Sequence, residues 1–179
     1  MAEMHPGHVE DSLFEAREVV CTVNGKIYRA MAEPRRLLSD FIREDLELKG
    51  THVGCEHGVC GACTILFNGK PARSCLMFAV QADGAEIVTV EGLARSPQQL
   101  TRLQESFSHE HALQCGYCTP GMLISATALL SENPSPTASE VKHAMAGQLC
   151  RCTGYEQIVR AVLAAADSDR EGGDEGERA

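Results

Sequence analysis

Eight of the nine cysteines fall into two sets of four, and their spacing restricts the possible folds more than any other feature. The first set is Cys55, Cys60 and Cys63 in "CEHGVCGAC", with Cys75 after eleven intervening residues. The second is Cys115 and Cys118 in "CGYC", with Cys150 and Cys152 in "LCRCTGYEQ". Cys150 and Cys152 are poorly placed for a disulfide with each other. In an extended segment, residues i and i+2 point the same way, so the pair reads as a two-pronged grip in a loop ahead of a helix. The N-terminal sequence has no basic region followed by an apolar run, and no apolar stretch approaches the roughly 18 residues that span a bilayer. A cytoplasmic location is therefore expected. Thiols stay reduced there, so ordered cysteines read as metal ligands before disulfides.

The totals narrow the function classes. Aromatic residues are 4% of the chain, there is no Trp, and the net charge is −9. Nothing offers stacking platforms or a basic surface, which argues against nucleic-acid binding. Hydrophobic residues at 44% permit a true core in one domain or two small ones.

Residues 1–17 read as a flexible tail, His5 and His8 included, and 167–179 as a disordered acidic tail. Between them lie two halves. In the first, 18–92, "EVVCTV" puts Val19, Cys21 and Val23 on one face, and Cys21 reads as a small core hydrophobe. Asn24-Gly25 signals a hairpin into "KIYRAM". "EPRRLLSDFIREDLEL" has helical apolar spacing through Leu37, Leu38, Phe41, Ile42 and Leu46. "TILF", a second hairpin signal at Asn68-Gly69, and "EIVTV" complete an α+β unit. In the second half, 93–166, four helices are expected. Their start signals are Ser96-Pro97 with Gln99, Thr119-Pro120, Thr137 with Glu140, and Thr153 with Glu156.

The first four cysteines have the plant-type ferredoxin spacing for a [2Fe–2S] cluster. Gly54, Gly58 and Gly61 let backbone N–H groups approach the sulfurs. Zinc is the alternative, but zinc loops favour repeated C-x2–4-C pairs, whereas here three ligands crowd one loop and the fourth stands alone. The second four place C-x2-C and C-x-C each at a helix start, where N–H groups face an anionic, thiolate-ligated centre. Alone, C-x2-C also suits a redox dithiol or half a zinc site.

Taken together, "GCEHGVCGACTILFNGKPARSC", "QCGYCTPGM" and "LCRCTGY" resemble the small iron–sulfur subunit of molybdenum hydroxylases. That family includes xanthine and aldehyde oxidoreductases, aerobic carbon monoxide dehydrogenase, and bacterial dehydrogenases of nicotine, quinolines and other heteroaromatics. The resemblance covers about residues 18–166 and implies a plant-type ferredoxin β-grasp domain followed by an all-α four-helix-bundle domain. It implies one [2Fe–2S] cluster on Cys55, Cys60, Cys63 and Cys75, and a second on Cys115, Cys118, Cys150 and Cys152.

The resemblance further implies a large partner subunit with a molybdenum–pterin cofactor and a medium partner subunit with FAD, assembled as a dimer of heterotrimers. Substrate is hydroxylated at molybdenum with oxygen from water, and single electrons pass through the two clusters to FAD. Gln114 and Cys152 are expected against the pterin. Gln148 departs from the Asn frequent in the family, an amide-for-amide change from which little effect is expected.

No G-x-G-x-x-G loop and no nucleophile–base constellation is found, so this chain carries no substrate-conversion site of its own. His57, inside the first loop, and Arg151, between two ligands, are candidate tuning or docking groups, with simple exposure the alternative. His109 and His111 end the first helix of the second half, where a cation suits the dipole. A free-standing two-cluster ferredoxin serving other oxidoreductases is the competing function, and a structural zinc module a third. Purines, N-heteroaromatics, aldehydes, acyl-CoA thioesters and carbon monoxide all stay open as substrates.

Overall fold

A computed structural model describes residues 15–96 and 98–171, with side chains to 166. The chain opens with β1 (Arg17–Val23) and β2 (Lys26–Ala32), joined by the turn at Asn24-Gly25. β3 (Thr64–Phe67) and β4 (Lys70–Arg73) form a second hairpin at Asn68-Gly69, and β5 (Glu86–Val88) follows. The five strands make one mixed sheet in the order β2-β1-β5-β3-β4, with β1 parallel to β5. Alternation works as the sequence predicts. Val19, Cys21 and Val23 face inward and are buried with Ile65, Ile87, Phe41 and Ile42. Burial also raises the Cys21 thiol pKa, with Asp83 adding to the effect, so Cys21 is an inert core residue.

The first helix is shorter than its sequence pattern suggests. Only Leu38–Asp40 is α-helical (α1), and it runs directly into a π turn over Phe41–Asp45. Pro34 lies in a turn in which Arg36 N–H donates to Glu33 O. Leu37 is extended and pairs with Phe78. The backbone hydrogen bonds of 36–38 are thereby spent on the 77–79 segment, through Leu38 N–H to Met77 O and Ala79 N–H to Arg36 O. Widened i→i+5 bonding, Leu46 N–H to Phe41 O, ends the helix.

The second half is helical: α2 (Arg102–His109), α3 (Thr119–Glu132), α4 (Ala138–Met145) and α5 (Glu156–Glu171). They share one apolar cluster built on Phe107, Met122, Val141, Ile158 and Val162. The Thr137/Glu140 capping box forms as expected, and α3 opens at Thr119 with proline in its first turn. Two start signals differ. Ser96 and Gln99 only close a tight turn, and α2 begins at Thr101, whose hydroxyl and Gln104 form the capping box. Pro97 lies outside the described residues. Before α5 the chain turns through Gly154 and Tyr155 at φ of 65° and 71°. Tyr155 O accepts the bond from Val159 N–H, which leaves Thr153 outside the helix with its hydroxyl 3.1 Å from Cys150 Sγ. α5 continues to Glu171, past the expected boundary at 166. The rest of both expected tails, His5 and His8 included, lies outside the described residues. Among the described residues, no helix is long and apolar enough to cross a membrane.

Candidate metal centres

The first ligand loop runs between α1 and β3, and Cys75 sits on a short 3-10 turn, Ser74–Leu76, after β4. The β3–β4 hairpin carries Cys75 back beside Cys63, and both are buried. Ser74 N–H and its hydroxyl both donate to Cys63 O, at 3.3 and 2.8 Å, which locks the two positions together. The second set gathers at one end of the helices. Cys118 precedes α3, and Cys150–Cys152 lies in the turn before α5.

Among the described residues, no three His, Cys, Asp or Glu side chains are arranged to hold one metal ion. The cysteines meet in pairs instead. Cys60 N–H donates to Cys55 Sγ at 3.4 Å, and the two thiols are hydrogen-bonded. Cys63 and Cys75 interact electrostatically, as do Cys118 and Cys150. Cys115 and Cys152 thiols lie 3.5 Å apart. Each set is thus two dithiol pairs, a donor arrangement that fits a two-iron cluster, in which each iron takes two thiolates.

The electrostatics also suit anionic sulfur. The amides of Cys60 and His57 hold the Cys55 pKa down to about 6. The Tyr117 amide, then the Cys152 thiol, lowers Cys115. At Cys150, burial raises the pKa, but the Thr153 hydroxyl and amide outweigh it and the net shift is downward. Three other thiols shift upward. Burial, with the Cys63 thiol second, pushes Cys75 up to about 12, and burial with Cys150 does the same to Cys118. The Cys115 thiol raises Cys152. In the second set the two sulfurs of each pair are thus shifted in opposite directions. A bound cation deprotonates the thiols that ligate it.

Cys115 and Cys152 are exposed, whereas Cys118 and Cys150 pack against the helical core. Gln114 is exposed beside the outer pair, as are Leu113 and Tyr117. His57 and Arg151 are exposed. His109 occupies the last turn of α2, and His111 follows that helix with φ of 51°.

The loops of the two sets are joined by groups that carry no motif. Gln148 is 2% exposed, two residues before Cys150. Its amide is oriented with Nε2 donating to Gly61 O (2.8 Å) and Oε1 accepting from Arg73 Nη1 (3.2 Å) and Ser125 Oγ (2.6 Å), with Thr64 Oγ1 at 3.0 Å. That orientation is required because a carbonyl only accepts and a guanidinium only donates. Arg73 also donates to Gly147 O at 2.6 Å. Gly61, at φ of +79°, admits this knot because any Cβ there would strike the Gln148 amide and come within 2.5 Å of Gly147 O. These residues were not singled out from sequence as a connector.

Comparison with known proteins fits this geometry. Residues 41–100 match the family described as "2Fe-2S iron-sulfur cluster binding domain", and residues 89–163 match "[2Fe-2S] binding domain". The chain is 55% identical over 148 residues to the nicotine 6-hydroxylase small subunit of Paenarthrobacter nicotinovorans, covering 83% of this chain and 88% of that protein. It is 51% identical to the caffeine dehydrogenase subunit gamma of Pseudomonas sp. (strain CBB1), covering 79% and 86%. A chain in the crystal structure of quinoline 2-oxidoreductase from Pseudomonas putida 86 superposes with a TM-score of 0.84 at 51% identity, covering 88% of this chain and 98% of that one.

Proposed function

The chain belongs to the iron–sulfur small subunits of the molybdenum hydroxylases, and from that premise we propose the electron path it serves. Single electrons pass from a molybdenum–pterin centre in a large partner subunit, through two [2Fe–2S] clusters in this chain, to FAD in a medium partner subunit. The three are assembled as a dimer of heterotrimers. Cys55, Cys60, Cys63 and Cys75 hold one cluster, and Cys115, Cys118, Cys150 and Cys152 the other. Bound there, each supplies a one-electron redox centre.

The observation that carries this reading is the inside-to-outside order of the thiol pairs. The exposed pair, Cys115 and Cys152, opens toward solvent at one end. The inner pair, Cys118 and Cys150, lies behind it, and Leu149, next to Cys150, donates its N–H to Cys60 O at 2.8 Å. Exposure of Cys152 and Gln114 supports their assignment against the pterin. Val59, Leu76 and Phe78, exposed apolar residues flanking the first set, support a docking face there for the medium subunit. The four packed helices are read as the four-helix bundle of the second cluster domain.

The test is Cys152→Ser in the assembled complex. Nitrogen heteroaromatics are the substrate class to try, because the three relatives are named for nicotine, caffeine and quinoline. Iron should fall by about two per chain, and substrate should no longer reduce FAD. FAD reduction at the full rate would contradict the path.

A further inference from the structure

We propose that Tyr117 is a positioning residue for electron passage between the two ligand sets, working with His52 as a clamp across the gap between their loops. This rests on the reading of both cysteine sets as cluster ligands. Tyr117 lies inside the second set, between Cys115 and Cys118, yet its side chain and its carbonyl meet the approach to the first. Its hydroxyl donates to Val53 O at 2.6 Å. Its ring stacks on His52, with centroids 4.8 Å apart and planes 23° from parallel. Its carbonyl lies 2.8 Å from His52 Nδ1. Because that carbonyl only accepts, Nδ1 carries the proton.

The next residue, Gly54, completes the clamp. A Cβ there would stand 3.5 Å from Tyr117 Cε1 and 3.1 Å from Cys60 Sγ, so the ring edge and the Cys60 thiol both close on Gly54. Three consecutive residues, His52, Val53 and Gly54, thus meet one side chain from a segment more than sixty residues away, and Cys55 follows directly.

Cys60 is thereby approached on two sides by the second set. Leu149 N–H, beside Cys150, holds its carbonyl, and the Tyr117 ring, beside Cys118, reaches Gly54, against which the Cys60 sulfur also packs. Leu149 and Gln148 tie the loops at Cys60 and Gly61, and the Tyr117 contacts tie them at His52 and Val53. One electron moves from the second centre to the first, with no bond made or broken and no proton transferred. Its rate is set by separation, orientation and driving force. A clamp fixes the first two.

The experiment uses the assembled complex, comparing wild type with Tyr117→Ala, Tyr117→Phe and His52→Ala. Three quantities are read: iron and acid-labile sulfide, the spin–spin interaction between the two reduced centres by EPR, and the rate of electron passage between them after rapid reduction. Tyr117→Ala should keep its iron and sulfide, weaken the spin–spin interaction, and slow the passage severalfold. Tyr117→Phe keeps the stack and loses only the bond to Val53, so it should fall between. His52→Ala should resemble Tyr117→Ala. Wild-type interaction and rate in Tyr117→Ala would overturn the proposal. If that variant loses iron, Tyr117→Phe and His52→Ala decide, and wild-type values in both would overturn it. Absence of iron and sulfide from the wild type would instead overturn the ligand reading beneath it.

Discussion

The backbone N–H of Leu149 donates to the carbonyl of Cys60 at 2.8 Å, and so the ligand loops of the two cysteine sets share a hydrogen bond. Leu149 precedes Cys150, and Gly61 follows Cys60. Around this bond, Gln148, Arg73 and Thr64 fill the space between sheet and helices with satisfied polar groups. A buried network of this kind holds one arrangement because any other strands its members.

Gly61→Ala tests how closely the halves must meet. Alanine would be forced to a left-handed φ and into the Gln148 amide and the Gly147 carbonyl. The expected loss is about 2–4 kcal/mol, combining conformational strain and overpacking. Chemical denaturation of the variant beside the wild type gives the difference.

Gln148→Leu removes the central amide of the knot. It strands the buried Ser125 hydroxyl, while Arg73 keeps Thr64 Oγ1 and Gly147 O as acceptors, so a loss of about 1–3 kcal/mol is expected. Gln148→Asn keeps the chemistry but is one methylene shorter, and should cost less. Denaturation midpoints of the two variants rank the contributions of amide and reach.

Glu140 gives a pH prediction. Its carboxylate accepts from Thr137 N–H and hydroxyl, both at 2.7 Å, and these bonds lower its pKa. A carboxylate depressed in the folded state stabilises above its unfolded pKa, near 4.3, and that contribution disappears as pH falls through the folded value. Wild type should therefore melt above Glu140→Gln at neutral pH, and the gap in Tm should close below pH ~4. A gap that persists undiminished in acid would show that charge is not what the cap uses.

Much of the fold is legible from local chemistry. Asn24-Gly25 and Asn68-Gly69 form the two hairpins, alternation in "EVVCTV" gives the buried face, and the Thr137/Glu140 box starts α4. What is missed depends on partners distant in sequence. The pattern around Leu37 suits a helix, but pairing with Phe78 draws Leu37 into an extended state. Thr153 suits an N-cap, but its hydroxyl is turned to Cys150. The ligand candidates are legible because spacing records the chemistry. The connectors Gln148, Arg73 and Tyr117 are not, since an isolated amide, guanidinium or phenol carries no spacing, and their roles emerge only where two loops meet.

The central claim is that eight cysteines hold two [2Fe–2S] clusters, and EPR of the dithionite-reduced complex, with iron, zinc and sulfide determined on the same sample, tests it most directly. The account predicts about four iron and four sulfide per chain and two distinguishable S = 1/2 signals. Zinc without acid-labile sulfide, and no signal on reduction, would contradict it.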